Sequence, residues 1–213
     1  MTAGSSDLGA VRPADAASTI DPPASPPRRS ALRREQIISS AAELFSRNGY
    51  AAVGMNDIGA ASGVTGPAIY RHFESKAALL AAVIDRVIDS VMVLELPDEG
   101  GPALQQLDAS VARYAAAVAR QRSVMAVFVR EVHHLPAAQQ DSLRRRQREL
   151  VRNWRTLLGA SRTDWDSEQV RTAVHAAFGL LNSVGLFSSP LPDGELARQL
   201  VGLTRAALGL PQT

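Results

Sequence analysis

Apolar residues recur at three- and four-residue intervals along most of the chain, which is the spacing of amphipathic helices. The clearest stretch places Ile37, Ile38, Ala41, Leu44 and Phe45 on one helical face. Alternation of the kind that indicates a β-strand never extends beyond a few residues. The pattern therefore predicts an all-α protein.

Breaks in this pattern divide the chain into about nine predicted helices. Glycine, proline and polar runs supply the breaks, as at PDEGGP (97–102) and SSPLPDG (188–194). The predicted helices span approximately 30–48, 55–61, 66–72, 76–94, 103–122, 124–134, 137–158, 167–187 and 195–208.

Two short helices around a sharp turn stand out between Asn56 and Lys76. Gly63 lies where the first helix must end, because glycine adopts a positive φ without steric cost. Thr65 is placed to cap the second helix, and Pro67 fits its first turn, where a missing N–H costs little. Two helices joined by a turn containing glycine, the second presenting small, aromatic and basic residues, are typical of a DNA-reading helix-turn-helix.

Three segments extend this pattern from Arg33 to Leu80. They are AAELFSRNGY (41–50), DIGAASGV (57–64) and IYRHFESKAALL (69–80), and they resemble the N-terminal domain of TetR-family transcriptional regulators. The resemblance implies an all-helical homodimer with a small DNA-binding domain and a larger ligand-binding and dimerisation domain. It also implies a repressor that a small molecule releases from double-stranded DNA.

The predicted organisation has three parts. Residues 1–28 form an unstructured tail rich in Ala, Pro, Ser and Asp. Residues 29–76 form the helix-turn-helix domain, and residues 77–213 form the ligand-binding and dimerisation bundle. The helix predicted over 76–94 connects the two, and we expect the effector to act by changing its packing.

The second helix of the pair carries the expected DNA contacts, because the N-terminal part of a recognition helix meets base edges in the major groove. Ala68 suits a thymine methyl, Tyr70 a base edge or a phosphate, and Lys76 a phosphate. Many family members have a polar or basic residue at the position of Gly66, so the operator is expected to be read partly through its shape. The expected contacts are Asn56 (by resemblance), Thr65, Gly66, Pro67, Ala68, Tyr70, Arg71, His72 and Lys76.

Two apolar stripes near the end of the chain fit either an inward-packing face or an interface between protomers. The resemblance favours the interface, since the last two helices of this family form a four-helix contact across a two-fold axis. Such a dimer binds a pseudo-palindromic operator. The stripe residues are Val170, Val174, Ala177, Leu181, Val184, Leu196, Leu200, Leu203 and Ala207.

Bulky apolar residues in the C-terminal bundle are candidates for a ligand pocket, although an ordinary core explains them equally well. The expected effector is an apolar small molecule, with a preference for a fatty acyl-CoA. The candidate pocket residues are Met125, Phe128, Arg130, His134, Trp154, His175, Phe178, Leu181 and Asn182.

Other charged clusters carry less weight. Glu131 and His134 are three residues apart with His133 beside them, but metal-binding bundles with this spacing use two copies of the motif, so no metal is expected. The arginine run at 144–148, interleaved with Glu149, is typical of a solvated helix face. No catalytic triad, phosphate-binding loop or dinucleotide fingerprint is present, so neither an enzyme nor a cofactor is expected.

Composition excludes several other classes. The 213 residues include no cysteine, which rules out disulfides and cysteine-based zinc sites, and the formal net charge is only +2. No apolar run is long enough to span a membrane, and no signal peptide is evident, so we expect a cytoplasmic protein with no membrane partner. Lys76 is the only lysine among 23 Lys and Arg, a bias typical of a GC-rich bacterial genome.

Two alternatives remain beside a ligand-released repressor. One is an activator, or a regulator that binds DNA without an effector. The other is a small-molecule-binding or interaction module whose DNA-binding head has lost its function.

Overall fold

The computed structural model describes residues 26–92 and 101–211, and every regular element within these ranges is helical. The all-α prediction is therefore confirmed. Short 3-10 helices follow the sixth and eighth α-helices, at Val132–His134 and Ser183–Gly185. The α-helices are α1 (Pro26–Asn48), α2 (Met55–Ser62), α3 (Gly66–Ile69), α4 (Lys76–Met92), α5 (Ala103–Arg120), α6 (Arg122–Glu131), α7 (Ala137–Ser161), α8 (Ser167–Asn182) and α9 (Asp193–Ala207).

Most predicted helices agree with these bounds to within a few residues, and the larger differences have simple causes. α7 continues through Gly159 to Ser161, because a glycine inside a helix costs only about 1 kcal/mol and the buried Trp154 and Leu158 anchor the helix there. α3 ends at Ile69, and the chain continues as a turn in which the His72 and Phe73 N–H groups both donate to the Ile69 carbonyl.

Parts of the predicted organisation lie outside the described residues. These are the tail up to residue 25, the last two residues of the connector helix and most of the loop at 97–102. Residues 26–28, which we had assigned to the tail, instead begin α1.

The helix-turn-helix domain (residues 29–76), called the reading head below, is built on α1. Its face of Ile37, Ile38, Ala41 and Phe45 is at most 1% exposed, while Leu44 at the edge of the stripe is only partly buried. This face packs against α2, α4 and α6, so α1 belongs to the head and also contacts the body of the protein.

The turn between α2 and α3 is held by close backbone approach. Gly63 ends α2 with φ 67° and ψ 30°, as predicted, and the Val64 N–H donates to the Gly59 carbonyl at 2.9 Å. A Cβ on Gly59 would lie 2.8 Å from the Val64 oxygen. Two glycines thus fix the angle between the two short helices.

The C-terminal helical bundle (described over residues 77–92 and 101–211), called the body below, is organised around α5, which packs against α4, α7, α8 and α9. Tyr114 of α5 meets Trp154 of α7 and Phe178 of α8, with ring centroids 4.5–6.0 Å apart. The Trp154 side chain is fully buried. This aromatic cluster joins three helices in the middle of the bundle.

The 3-10 turn after α8 touches the backbone of α6. A Cβ on Gly185 would lie 2.6 Å from the Met125 carbonyl oxygen, whereas a Cβ on Gly159 in α7 would meet nothing within 4 Å. Only a residue without a side chain allows this contact between the end of α8 and α6.

Gly185→Ala is therefore expected to lower the free energy of unfolding by about 1–3 kcal/mol through overpacking. The matched control Gly159→Ala is expected to raise it by about 0.5–1 kcal/mol, since alanine is the better helix former. Urea denaturation followed by circular dichroism measures both. Equal stabilities of the two variants would contradict the close contact.

Candidate nucleic-acid interface and cavity

The tip of α3 presents an exposed surface. Thr65, Pro67 and Arg71 are exposed, and Tyr70 is 55% exposed although it is a large aromatic residue. Thr65 takes the N-cap position with φ −78° and ψ 151°, but its hydroxyl makes no capping hydrogen bond. The N–H groups of Ala68 and Ile69 instead donate to the Thr65 carbonyl, which leaves the hydroxyl free to meet an external group.

Gly66 has a packing role that the sequence did not reveal. It is buried, and a Cβ at this position would collide with the side-chain oxygen of Asn56 on α2. Asn56 itself is exposed and Ala68 half-buried. The glycine therefore lets the Asn56 amide lie against the start of α3, so its absence of a side chain has a structural cause in this chain.

Lys76 turns partly inward. Its Nζ donates to the Ala51 carbonyl at 3.3 Å and lies 4.4 Å from the centre of the Tyr50 ring. Ser75 caps α4, its hydroxyl accepting from the Ala78 N–H at 3.0 Å. The ammonium thus holds the end of the head against α4 through a hydrogen bond and a cation–π contact.

The C-terminal end of α6 clasps the end of α1. The buried Glu131 accepts a hydrogen bond from the Tyr50 N–H at 3.2 Å, and Arg130 donates to the Ser46 carbonyl at 3.3 Å. Burial raises the pKa of Tyr50, and the Glu131 charge raises it further. This junction joins the reading head to the body through main-chain groups.

Glu131 also gathers two histidines at the junction. His134 Nε2 lies 3.6 Å from Glu131 Oε2, and one ligand atom each from Glu131, His133 and His134 lies within 4.8 Å of the others. These are residue types that bind divalent metals. Their spacing along the chain indicated proximity, but not the contact with Tyr50.

A cavity of about 540 Å³ opens between α7 and α8, with Tyr114 of α5 in its lining. His175, Phe178 and Asn182 line it from α8, as the sequence predicted for a pocket, and the Tyr114 hydroxyl donates to Asn182 Oδ1 at 2.9 Å. The remaining lining residues, from α7, are Arg144, Gln147, Arg148, Leu150, Val151, Arg152 and Arg155.

The α7 arginines were not expected in this cavity. Arg144, Arg148, Arg152 and Arg155 follow a spacing of four, four and three residues, which places them on one helical face. Arg146 instead pairs with Asp89 of α4 at 3.0 Å. The arginine run therefore divides between two faces, and only the spacing beyond residue 148 could have indicated the row along the cavity.

A second cavity of about 400 Å³ adjoins the first. Arg152 and Arg155 line both, and Trp165 and Ser167 line the second from the start of α8. The Arg162 guanidinium stacks 4.0 Å from the centre of the Trp165 ring.

The other predicted pocket residues lie elsewhere. Met125, Trp154 and Leu181 are at most 1% exposed and belong to the core, with Trp154 beneath the cavity in the aromatic cluster. Phe128 packs against the same core, and Arg130 and His134 are at the head–body junction. These six residues therefore do not line the cavity between α7 and α8.

Most of the two apolar stripes that were assigned to a dimer interface pack inward within one protomer, which is the alternative that the sequence left open. The residues that are at most 6% exposed are Val170, Val174, Ala177, Leu181, Val184, Leu196 and Leu200. Of the other two, Ala207 is half-buried and Leu203 is 57% exposed. The outward faces of α8 and α9 carry Ala176 and Gly179, and Leu203 and Ala206, respectively.

No helix within residues 26–92 and 101–211 is long and apolar enough to cross a lipid bilayer.

Two family models match the chain. Residues 37–83 match the model described as bacterial regulatory proteins, tetR family, and residues 100–204 match the model of a tetracyclin repressor-like C-terminal domain. The first covers the reading head and most of α4's buried face, and the second covers the helical body.

Two curated relatives are transcriptional regulators that match part of the chain. The chain is 42% identical over 60 residues to the transcriptional activator FasR of Mycolicibacterium smegmatis, covering 28% of this chain and 27% of FasR. It is 29% identical over 118 residues to the transcriptional repressor KstR2 of Rhodococcus jostii, covering 54% of this chain and 58% of KstR2. The matches thus span well under two thirds of either relative.

Solved structures share the fold over most of the chain. A bacterial regulatory protein of the tetR family from Rhodococcus RHA1 superposes with a TM-score of 0.72 at 22% identity, covering 84% of this chain and 98% of that one. AibR, solved in complex with isovaleryl coenzyme A and operator DNA, gives 0.67 at 19% identity, covering 80% and 97%. With both family models matched in chain order, the chain belongs to the TetR family of transcriptional regulators.

Proposed function

We propose that this regulator binds a pseudo-palindromic operator as a homodimer in the bacterial cytoplasm and is released from it by an apolar or acylated small molecule. The observation that carries the proposal is the exposed tip of α3, where a 55% exposed tyrosine and an unused threonine hydroxyl face away from the protein. Side chains of these two kinds, exposed on the second helix of a helix-turn-helix, are placed to contact base edges and phosphates in the major groove.

The cavity between α7 and α8 supports an effector with an apolar part. Phe178 and Leu150 are buried side chains in its lining, and Tyr114 supplies both a ring and a hydroxyl. AibR, which has the same fold, was solved with isovaleryl coenzyme A together with operator DNA. A fatty acyl-CoA is therefore the effector that we favour.

Repression relieved by the effector is the direction that we propose. KstR2 is a repressor and FasR is an activator, so activation remains the alternative within DNA binding. A reporter gene behind the operator, assayed with and without the regulator, separates the two.

A contact route runs from the cavity to the head. Asn182 lines the cavity at the end of α8, and the next three residues form the 3-10 turn that packs on α6. α6 in turn holds the end of α1 through Arg130 and Glu131. We propose that the effector shifts the two reading heads along this route as well as through α4, whose packing on α1, α5 and α6 is also close.

Tyr70→Ala is expected to weaken operator binding by about 1–3 kcal/mol, the worth of a specific DNA contact. Fluorescence anisotropy on DNA from upstream of the gene, repeated across salt concentrations, measures it. Gln139→Ala, at an exposed position on α7, is the control. If the Tyr70→Ala variant binds the operator as tightly as the wild type, Tyr70 does not contact the DNA. If the wild type binds the operator no more tightly than random DNA, the alternative of a module with a non-functional DNA-binding head is favoured.

Leu203→Glu is expected to convert the dimer to monomers, because the exposed faces of α8 and α9 around Leu203, Ala176 and Gly179 are where we propose that two protomers meet. Small residues let helices approach closely. Analytical ultracentrifugation measures the state. Ala112→Glu, exposed on α5, controls for added charge, and a dimeric Leu203→Glu variant would place the interface elsewhere.

Glu131→Ala is expected to reduce the ability of decanoyl-CoA to release the protein from DNA. The affinity of the protein for decanoyl-CoA is expected to change less than twofold. The substitution leaves the Tyr50 N–H without its acceptor, which costs about 1–3 kcal/mol of stability. Glu131→Gln keeps an acceptor oxygen and is expected to retain most of the release. If decanoyl-CoA fully releases the Glu131→Ala variant from DNA, α4 alone carries the coupling between effector binding and DNA binding.

A further inference from the structure

The two cavities along α7 form one groove. They share Arg152 and Arg155, and together their α7 lining runs from Arg144 to Gly159. At 1.5 Å per helical residue this is a length of about 22 Å. The groove therefore accommodates an elongated ligand better than a compact one.

The groove is strongly cationic. Among the described residues that line it, four are arginines and none is an aspartate or glutamate. Arg144 is paired with Asp141, but no ion pair within the described ranges involves Arg148, Arg152 or Arg155. Three guanidinium groups thus remain available to a ligand.

The carboxylates at the Trp165 end of the groove have partners on the protein. Asp164 pairs with Arg162 at 2.8 Å, and Asp166 accepts from the N–H groups of Glu168 and Gln169 at the start of α8. Glu168 pairs with Arg171. Glu149 is also close by, three residues before Arg152 on α7, but the three arginines without an ion pair outnumber it, so the groove keeps a net positive charge.

The spacing of the free arginines indicates an anion with several charges. Arg148 and Arg155 are two helical turns apart, about 10 Å along the axis. A single carboxylate reaches only one of these groups at a time, whereas a chain of phosphates reaches several, and the guanidinium fork matches phosphate oxygens.

The two ends of the groove differ in a way that suits such a ligand. Tyr114, Phe178 and Leu150 lie at one end, and Trp165 lies at the other, beyond the shared arginines. Apolar side chains suit an acyl group, and an indole ring suits stacking with a nucleotide base.

We propose that this groove binds a coenzyme A thioester with its phosphates on Arg148, Arg152 and Arg155, its adenine near Trp165 and its acyl group toward Tyr114 and Phe178. The inference rests on the proposed acyl-CoA effector and adds that the nucleotide part carries much of the affinity. An apolar acid without coenzyme A is then a poor ligand.

Isothermal titration of the full chain with decanoyl-CoA, free coenzyme A, adenosine 3′,5′-bisphosphate, inorganic phosphate and decanoate tests the proposal. We expect decanoyl-CoA to bind most tightly, coenzyme A and the bisphosphate to compete with it, and phosphate and decanoate to bind at least about 100-fold more weakly than decanoyl-CoA. That ratio corresponds to the loss of one or two hydrogen bonds to charged groups.

The double variant Arg152→Gln/Arg155→Gln is expected to lose about 100-fold in affinity for decanoyl-CoA. Arg145→Gln, an exposed arginine of α7 that lines neither cavity, is the matched control and is expected to change affinity less than twofold. Both replaced arginines are exposed, and thermal melts followed by circular dichroism verify that the variants are folded.

Trp165→Phe is expected to abolish quenching of tryptophan fluorescence by coenzyme A, since Trp154 is buried.

The outcomes separate this inference from the proposed function. Equal affinity of the double variant and the Arg145 control, or decanoate binding as tightly as decanoyl-CoA, overturns the groove assignment. If decanoate releases the operator and no coenzyme A compound binds, the ligand-released regulator stands and the nucleotide site fails. If no compound binds but the operator is held, DNA binding stands, and both the groove assignment and the acyl-CoA effector fail.

Discussion

The rest of the structure depends on the clasp between α6 and the end of α1. Glu131 and Arg130 bind backbone groups of Tyr50 and Ser46, so the contact fixes the course of the main chain at the base of the reading head. The Glu131 side chain is buried, and removing its partner would leave a polar group unpaired away from water, which is costly. The same helix supports the turn that follows α8. One short helix thus touches both α1, which supports the helix-turn-helix, and the turn after α8, which borders the cavity.

Glycine sets the distances in this arrangement. Gly185 brings the end of α8 against the α6 backbone, and Gly59 brings α2 against the turn before α3. A close contact between two backbones cannot be relieved by a change of side-chain rotamer. A small displacement of one helix therefore shifts the helix that it contacts. Gly66 belongs to the same group, because it leaves room for Asn56 at the start of α3. The absence of a side chain at Gly66 therefore has a packing cause that is independent of DNA contact.

The head was predictable because its signals are local. Gly63 and the buried face from Ile37 to Phe45 each act within one or two turns of their own position, and each was identified correctly. The surfaces of the body were not predictable in this way. An apolar stripe such as Val170 to Val184 satisfies an inward face and an interface equally, and only the packing of α8 on its neighbours decides between them. The spacing along α7 could have indicated the arginine row, but that the row borders a cavity became visible only when α7 and α8 were placed side by side.

Lys76 gives the junction a chemical property of its own. It is the only lysine in the sequence, and its ammonium lies over the Tyr50 ring where the head joins the body. Side-chain amine chemistry on this protein is therefore confined to one position, the first residue of α4, whose contacts with Ala51 and Tyr50 change whenever the head moves relative to α4. A fluorophore coupled there would report on the orientation of the head without an engineered attachment site. Acylation of the same amine would remove the charge that holds Tyr50 in place.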